Sequence, residues 1–257
     1  MKRYNDYILA SAILIAAAAV LLTVTLFTAR GDLTTATLIL AGITCFITAI
    51  FILTLYKGEP FDAQFTNLLP VAAMLDLCRI CADLGVQGNG VTIPTKAELT
   101  GHQVMHFIPV STFRHPEIRD DFSFVLDAAS PGVLLVPGGY PLFSLLQEKF
   151  SLQISRDEAE MLTAVDVVCR EVLEVADRVE AVRTGNVIAV TLHHYLLFPG
   201  CAAVRKESPR CCTVFPCPVC SLVLCMLAAG LGKPCTIDTV TADEKEKTVQ
   251  LILSVRS

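Results

Sequence analysis

Two uncharged stretches set back to back constrain this chain more than any other feature. The first is YILASAILIAAAAVLLTVTLFTA, from Tyr7 to Ala29; the second is LTTATLILAGITCFITAIFILTLY, from Leu33 to Tyr56. Each exceeds twenty residues, and at about 1.5 Å of rise per residue each makes a helix that spans the ~30 Å hydrocarbon core of a bilayer. A cleaved secretion signal has only about 7–15 apolar residues, and a helix buried in a soluble core seldom needs such length without a charge. Only Arg30, Gly31 and Asp32 separate the two runs. Residues 1–56 therefore read as an antiparallel transmembrane hairpin, with spans at about 7–29 and 33–56. Ala16, Ala17, Ala18 and Ala19 on the first helix, and Ala41 and Gly42 on the second, predict a close backbone approach. Lys2 and Arg3 precede the first span, Arg30 lies between the spans and Lys57 follows the second. The majority of positive charge places the N-terminus in the cytoplasm, and two spans return the chain to the same side.

The rest of the chain is globular in kind. Over 257 residues, 53% are hydrophobic and 18% charged, with mean hydropathy +0.59, against about 25% charged in an average domain. That balance excludes disorder. A net charge of −5 excludes a basic nucleic-acid binder. Residues 1–56 hold three of the 20 basic and two of the 25 acidic residues, so residues 57–257 carry 17 against 23. Such an acidic domain is repelled by anionic lipid, and the hairpin alone must supply attachment.

Residues 57–68 (KGEPFDAQFTNL) read as a linker, followed by a soluble domain over 69–257. A helix is predicted with Pro70 in its first turn, an apolar stripe of Val71, Met74, Leu75, Cys78, Cys81 and Ala82, and Gly85 at its end. Strands are predicted at Val91–Ile93, Val104–Val110, Phe122–Leu126 and Val133–Val136, then a bend at Pro137-Gly138-Gly139 and a helix from Leu142 to Phe150. Ser155 and Glu158 have capping-box spacing. Leu162, Val165, Cys169, Val172, Ala176 and Val179 recur at three and four residues, predicting a long helix from about Arg156 to Val182 that packs on a sheet. A strand at Val187–Leu192, a Cys- and Pro-rich loop over Phe198–Pro218, an apolar helix Ser221–Leu231 and a closing hairpin of Cys235–Val240 and Thr248–Val255 complete the pattern. The expected class is a transmembrane helical hairpin followed by an α+β domain with a mixed or antiparallel sheet.

The chain has 11 cysteines. Cys45 lies in a span, and Cys169 and Cys225 fall on apolar helix faces; all three read as packing. Cys78 and Cys81 make a C-x-x-C on the apolar stripe of their helix, read as core with a remote ligand pair as the alternative. On the reducing side of a membrane, disulfides are disfavoured. The densest run holds Cys201, Cys211, Cys212, Cys217, Cys220, Cys225 and Cys235. Within it Cys217-Pro218-Val219-Cys220 opens an apolar helix, where the helix dipole favours a thiolate. Three readings fit. Cys217 and Cys220 with two of Cys201, Cys211 and Cys212 hold zinc or an iron–sulfur cluster; or Cys217 and Cys220 form a redox dithiol; or the cysteines are small buried hydrophobes.

His102 and His106 are four apart, but on a strand pattern that does not bring both to one metal, and His193 and His194 point to opposite sides of a strand end. No phosphate loop, G-x-S-x-G or spaced acid pair occurs, so no nucleophile or general base is nominated.

With the hairpin and the run PCPVCSLVLCMLAAGLGKPCTIDTV, the chain resembles an uncharacterised family of archaeal two-span membrane proteins with a cytosolic domain of unknown function. That resemblance implies an architecture. The last forty or so residues are similar to the end of the 4-vinyl-reductase small-molecule-binding domain, with an apolar helix, the turn Gly232-Lys233-Pro234 and two terminal strands. The likeness implies small-molecule binding. Where members of that family often carry Cys in those strands, this chain has Val240 and Gln250.

The expected function is a membrane-anchored, cytoplasmic binding or sensing module without catalysis, with the lipid bilayer and a small molecule or a partner protein as its partners. The alternative is a membrane-tethered thiol or metal redox protein that uses the Cys-rich loop, and a structural subunit of a membrane complex is the third reading.

Overall fold

The computed structural model describes residues 6–28, 33–55, 66–116, 118, 122–126 and 129–256, in two compact units, Met1–Phe61 and Asp62–Ser257. The first unit contains α1 (Asp6–Thr28) and α2 (Leu33–Leu55). Both are apolar and long enough to cross a membrane. They meet along a narrow seam. On α1 the buried residues are Ser11, Ala18 and Thr25; on α2 they are Gly42 and Ala49. The seven-residue spacing keeps one line of each helix against the other. A Cβ on Gly42 would lie 3.2 Å from Leu22 Cγ, so the seam admits little more than a hydrogen there. Of the alanines expected to mediate this approach, Ala18 does; Ala16, Ala19 and Ala41 face outward. The other faces present Ile13, Val20, Leu40 and Phe51 outward, with Leu26 79% and Phe27 90% exposed. The hydroxyls of Thr44, Thr48 and Thr54 donate to carbonyls four residues earlier, which satisfies them without water. The turn Arg30-Gly31-Asp32 and most of the 57–68 linker lie outside the described residues.

The second unit is built on one eight-stranded sheet, ordered β3-β4-β2-β1-β7-β8-β6-β5 and antiparallel at every pairing. In chain order the strands are β1 (Val91–Pro94), β2 (Val104–Pro109), β3 (Phe124–Val125), β4 (Gly132–Leu135), β5 (Arg178–Thr184), β6 (Val187–His193), β7 (Cys235–Asp243) and β8 (Thr248–Val255). The sheet is joined in its middle by a short pairing, Val91 with Thr236 and Thr92 with Cys235. The helices are α3 (Val71–Asp83), the single turn α4 (Ala97–Thr100), α5 (Tyr140–Phe150), α6 (Glu158–Val167), α7 (Phe198–Glu207), α8 (Cys211–Val214) and α9 (Pro218–Leu231). Helix α9 is the centre of the domain. Eleven of its residues are buried, and they share one core with Val179, Ile188, Val190, Leu192, Ile237, Leu251 and Leu253 from the strands.

Two expectations are corrected. The helix predicted over 156–182 ends early: α6 runs into a π-helical turn at Val168–Val172, Glu174 takes φ 51°, and Arg178–Thr184 is a strand. Exposure alternates along Arg178–Thr184, with Val179, Ala181 and Arg183 on the covered side, so Val179 serves a period of two as readily as one of three to four. The cap also shifts: Asp157 is the N-cap and accepts from the Glu160 N–H at 3.1 Å, while Ser155 Oγ accepts from the Asp157 N–H. The segment predicted as a Cys- and Pro-rich loop holds α7 and α8. Pro199 sits in the first turn of α7, where its missing N–H costs nothing, and Cys201 and Val204 face inward at helical spacing.

Candidate functional site

Helices α3, α7 and α8 and the N-terminus of α9 converge on one corner of the domain, and five cysteines singled out from the sequence meet there in two arrangements. Cys211 pairs with Cys78 of α3 in a disulfide with Cα atoms 5.7 Å apart, across a separation of 133 residues. Free thiols were expected here, so this cross-link corrects that expectation for Cys78 and Cys211, whereas Cys81 is free and buried in the core as its place on the apolar stripe predicted. The other four, Cys201, Cys212, Cys217 and Cys220, remain free.

Each of the four has a structural reason for its place. Cys217 is the N-cap of α9 and Cys220 lies in its first turn, with Pro218 between them. Cys201 is on the buried face of α7. Cys212 is in the turn of α8. The Cys201 thiol hydrogen-bonds Cys212, which raises the Cys201 pKa and lowers that of Cys212. Cys220 does the same to Cys217. That contact, the N–H groups of Val219 and Cys220, and the Tyr195 hydroxyl 3.9 Å away bring Cys217 down to about 7. Cys220 rises because it keeps the shared proton in a buried setting. Elsewhere the cysteines behave as small hydrophobes: burial pushes Cys169, Cys225 and Cys235 up to about 12. Reactive character is thus confined to this corner.

Both thiol pairs and Met74 line a void of about 10 Å³. Beside it opens a cavity of about 420 Å³, whose wall includes Asn67, Val71, Leu142, Tyr195, Cys201 and Cys217. Its lining is mostly apolar. Asn67 is 5% exposed, and neither its Oδ1 nor its Nδ2 has a hydrogen-bond partner among the described residues. A Cβ on Gly200 would lie 2.1 Å from the Asn67 carbonyl oxygen. Only glycine lets the first turn of α7 close against this backbone. Neither Asn67 nor Tyr195 stood out in the sequence, because no motif marks them; only their place in three dimensions does.

The histidines are elsewhere. His106 is buried on β2, with Nε2 2.8 Å from the Val214 carbonyl oxygen and Nδ1 3.3 Å from Thr92 Oγ1, and burial lowers its pKa to about 4. His102 stacks edge-on to Tyr140, with centroids 4.6 Å apart. His193 faces Glu180 and His194 faces Asp177. Among the described residues no group of three or more His, Cys, Asp or Glu side chains could hold a metal ion.

No curated protein and no solved structure matches the chain. Residues 2–253, both units together, match a domain of unknown function, DUF7982. The match spans nearly the whole sequence, and the chain therefore belongs to the DUF7982 family.

Proposed function

We propose that the chain is a membrane-anchored binding module, held by its N-terminal hairpin, whose sheet domain takes one small, largely apolar molecule into the cavity between α3 and α7. The observation that carries this reading is Asn67. A buried amide without partners costs about 1–3 kcal/mol, and here it stands on the wall of an otherwise apolar cavity of about 420 Å³. Rotation of that side chain towards a ligand's polar group recovers the cost and gives orientation, the division of labour usual in small-molecule sites. The charges of Lys2 and Arg3 against Arg30 support a cytoplasmic sheet domain. There the Cys78–Cys211 bond is retained by restricted access, since Cys211 is 1% exposed.

The test uses the full chain in detergent and 2-naphthol, a rigid apolar probe with one hydroxyl. The probe raises the Tm saturably in the wild-type protein. Leu142→Trp, which puts an indole into the cavity of a chain that has no tryptophan, folds and loses the shift. An equal shift in both proteins, or none in either, overturns the reading. Protease added to sealed, right-side-out vesicles leaves the sheet domain intact if the orientation is as proposed.

A further inference from the structure

The wall of the cavity between α3 and α7 carries a nucleophile as well as an amide. Of the eight free cysteines in the sheet domain, seven are buried and only Cys217 is partly open. Cys217 borders the cavity of about 420 Å³. It is also the N-cap of α9, a helix of 14 residues, and a sulfur at such an end meets the positive pole of the peptide dipoles, which favours thiolate. The Tyr195 hydroxyl stands 3.9 Å from Cys217 Sγ. Tyr195 is 1% exposed and borders the same cavity. Towards a thiolate this hydroxyl is the donor.

A second, independent feature of this cavity calls for a ligand. Asn67 borders it, is 5% exposed, and has neither its Oδ1 nor its Nδ2 partnered among the described residues. Around these groups Leu69, Val71, Met74 and Leu142 supply apolar wall. The cavity therefore offers apolar surface for a hydrocarbon body, an amide N–H for an oxygen, and a sulfur nucleophile for an electron-poor carbon. A carbonyl conjugated to a carbon–carbon double bond meets all three, since its oxygen accepts from the amide while its β-carbon takes the thiolate.

We propose that Cys217 captures an apolar α,β-unsaturated carbonyl compound covalently in this cavity, with Asn67 as the donor to its carbonyl oxygen. The inference rests on the cavity reading above and names the ligand class. Cys217 Sγ forms a bond to the β-carbon, and the π pair of the double bond shifts towards the α-carbon and the carbonyl oxygen, where the Asn67 N–H steadies the developing charge. The thiol gives one proton to solvent, and one proton from solvent ends on the α-carbon. The product is a thioether, and no oxidant or reductant is consumed.

The experiment uses the full chain in detergent, purified under argon and freed of thiol reagents, with non-3-en-2-one as the probe. Borohydride then fixes any adduct, and peptide mass mapping reads each cysteine separately. Cys217 is expected to gain one enone, at a rate that levels off as the probe concentration rises. Nonan-2-one, the saturated ketone, slows the reaction because it fills the cavity and has no double bond to add to. Leu142→Trp slows it as well. Asn67→Leu, close in volume, raises the half-saturating concentration about tenfold, the loss of one buried hydrogen bond. Cys217→Ser takes no adduct at this position, yet nonan-2-one still raises its Tm; should that variant fail to fold, the wild-type kinetics decide alone. Three results overturn the proposal: Cys217 left unmodified, a rate at Cys217 that rises in proportion to concentration without levelling off, or a rate indifferent to nonan-2-one. A chain that 2-naphthol stabilises while Cys217 takes no enone keeps the ligand reading and loses this inference. Indifference to 2-naphthol and nonan-2-one alike removes both.

Discussion

Among the described residues, three segments are apolar enough to cross a bilayer, and they meet opposite surroundings. The segments Ile8–Phe27 and Leu33–Thr54 bury 17% and 11% of their residues within the protein, whereas Cys211–Leu231 buries 72%. Hydropathy does not separate them. Length does: α1 and α2 have 23 residues each, about 35 Å of helix, whereas α9 has 14, about 21 Å and too short for a ~30 Å core. Side-chain size separates them too. The hairpin buries small residues along one line and leaves most of its large apolar side chains uncovered by the rest of the protein. Helix α9 is buried between helices α5 and α6 and strands β1, β2 and β7, which cover it on every side. An apolar helix is therefore assigned by what its neighbours in sequence can wrap around it, not by its own composition.

The sharpest way to break that comparison is a charge in α9. Leu224→Asp buries an unpaired carboxylate among residues that are 0% exposed, so a loss above about 5 kcal/mol, and with it the folded sheet domain, is expected. Loss of the cooperative transition in circular dichroism checks this. The hairpin, with its own seam, should still fractionate with membranes. Next, the sheet domain has a covalent cross-link. Cys78→Ser opens a loop of 133 residues and should cost about 2–5 kcal/mol, read as a lowered urea midpoint under non-reducing conditions.

A third difference lies in titration. The folded pKa of His106, about 4, is below its ordinary value near 6.5. The neutral ring is the stable one, so folding stability is full above pH 6.5 and falls as the pH drops towards 4, by up to about 3 kcal/mol. Urea midpoints across that range measure the slope, and His106→Asn should flatten it. Helix α1 has no charged or histidine side chain between Asp6 and Arg30 and contributes no such slope. The smallest effect concerns the seam. Gly42→Leu forces α1 and α2 apart at Leu22 and should cost about 1–3 kcal/mol of hairpin stability, seen as weaker resistance to unfolding in dodecyl sulfate.

Much of this was legible in the sequence for stated reasons. The hairpin followed from length without charge, and the class from short apolar runs such as β2 and alternating ones such as β6 and β8. Helix α9 followed from its apolar run before Gly232 and Pro234. The reading failed where Ala176 and Val179 continue the helical spacing of Leu162 to Val172 although the chain has turned into a strand, and where cysteine and proline were counted as loop although Cys201 and Val204 keep helical spacing. At the Cys-rich corner, the place of Cys217 and Cys220 at a helix start was legible, because the apolar run after Pro218 fixes it locally. The bond of Cys211 to Cys78 was not, because it depends on where α3 brings Cys78. Asn67 gained meaning only once Gly200 was seen to admit its backbone.

Strand β8 sits between β6 and β7 in the sheet and satisfies the inner edge of each. Among the described residues, β1 to β4 reach the other strands through the short pairing of β1 with β7. Without β8, β6 and β7 would each offer an open hydrogen-bonding edge, and the sheet would stand as two separate ribbons. One strand is thus the clasp of the whole domain, and a lesion in it exposes two sticky borders at once.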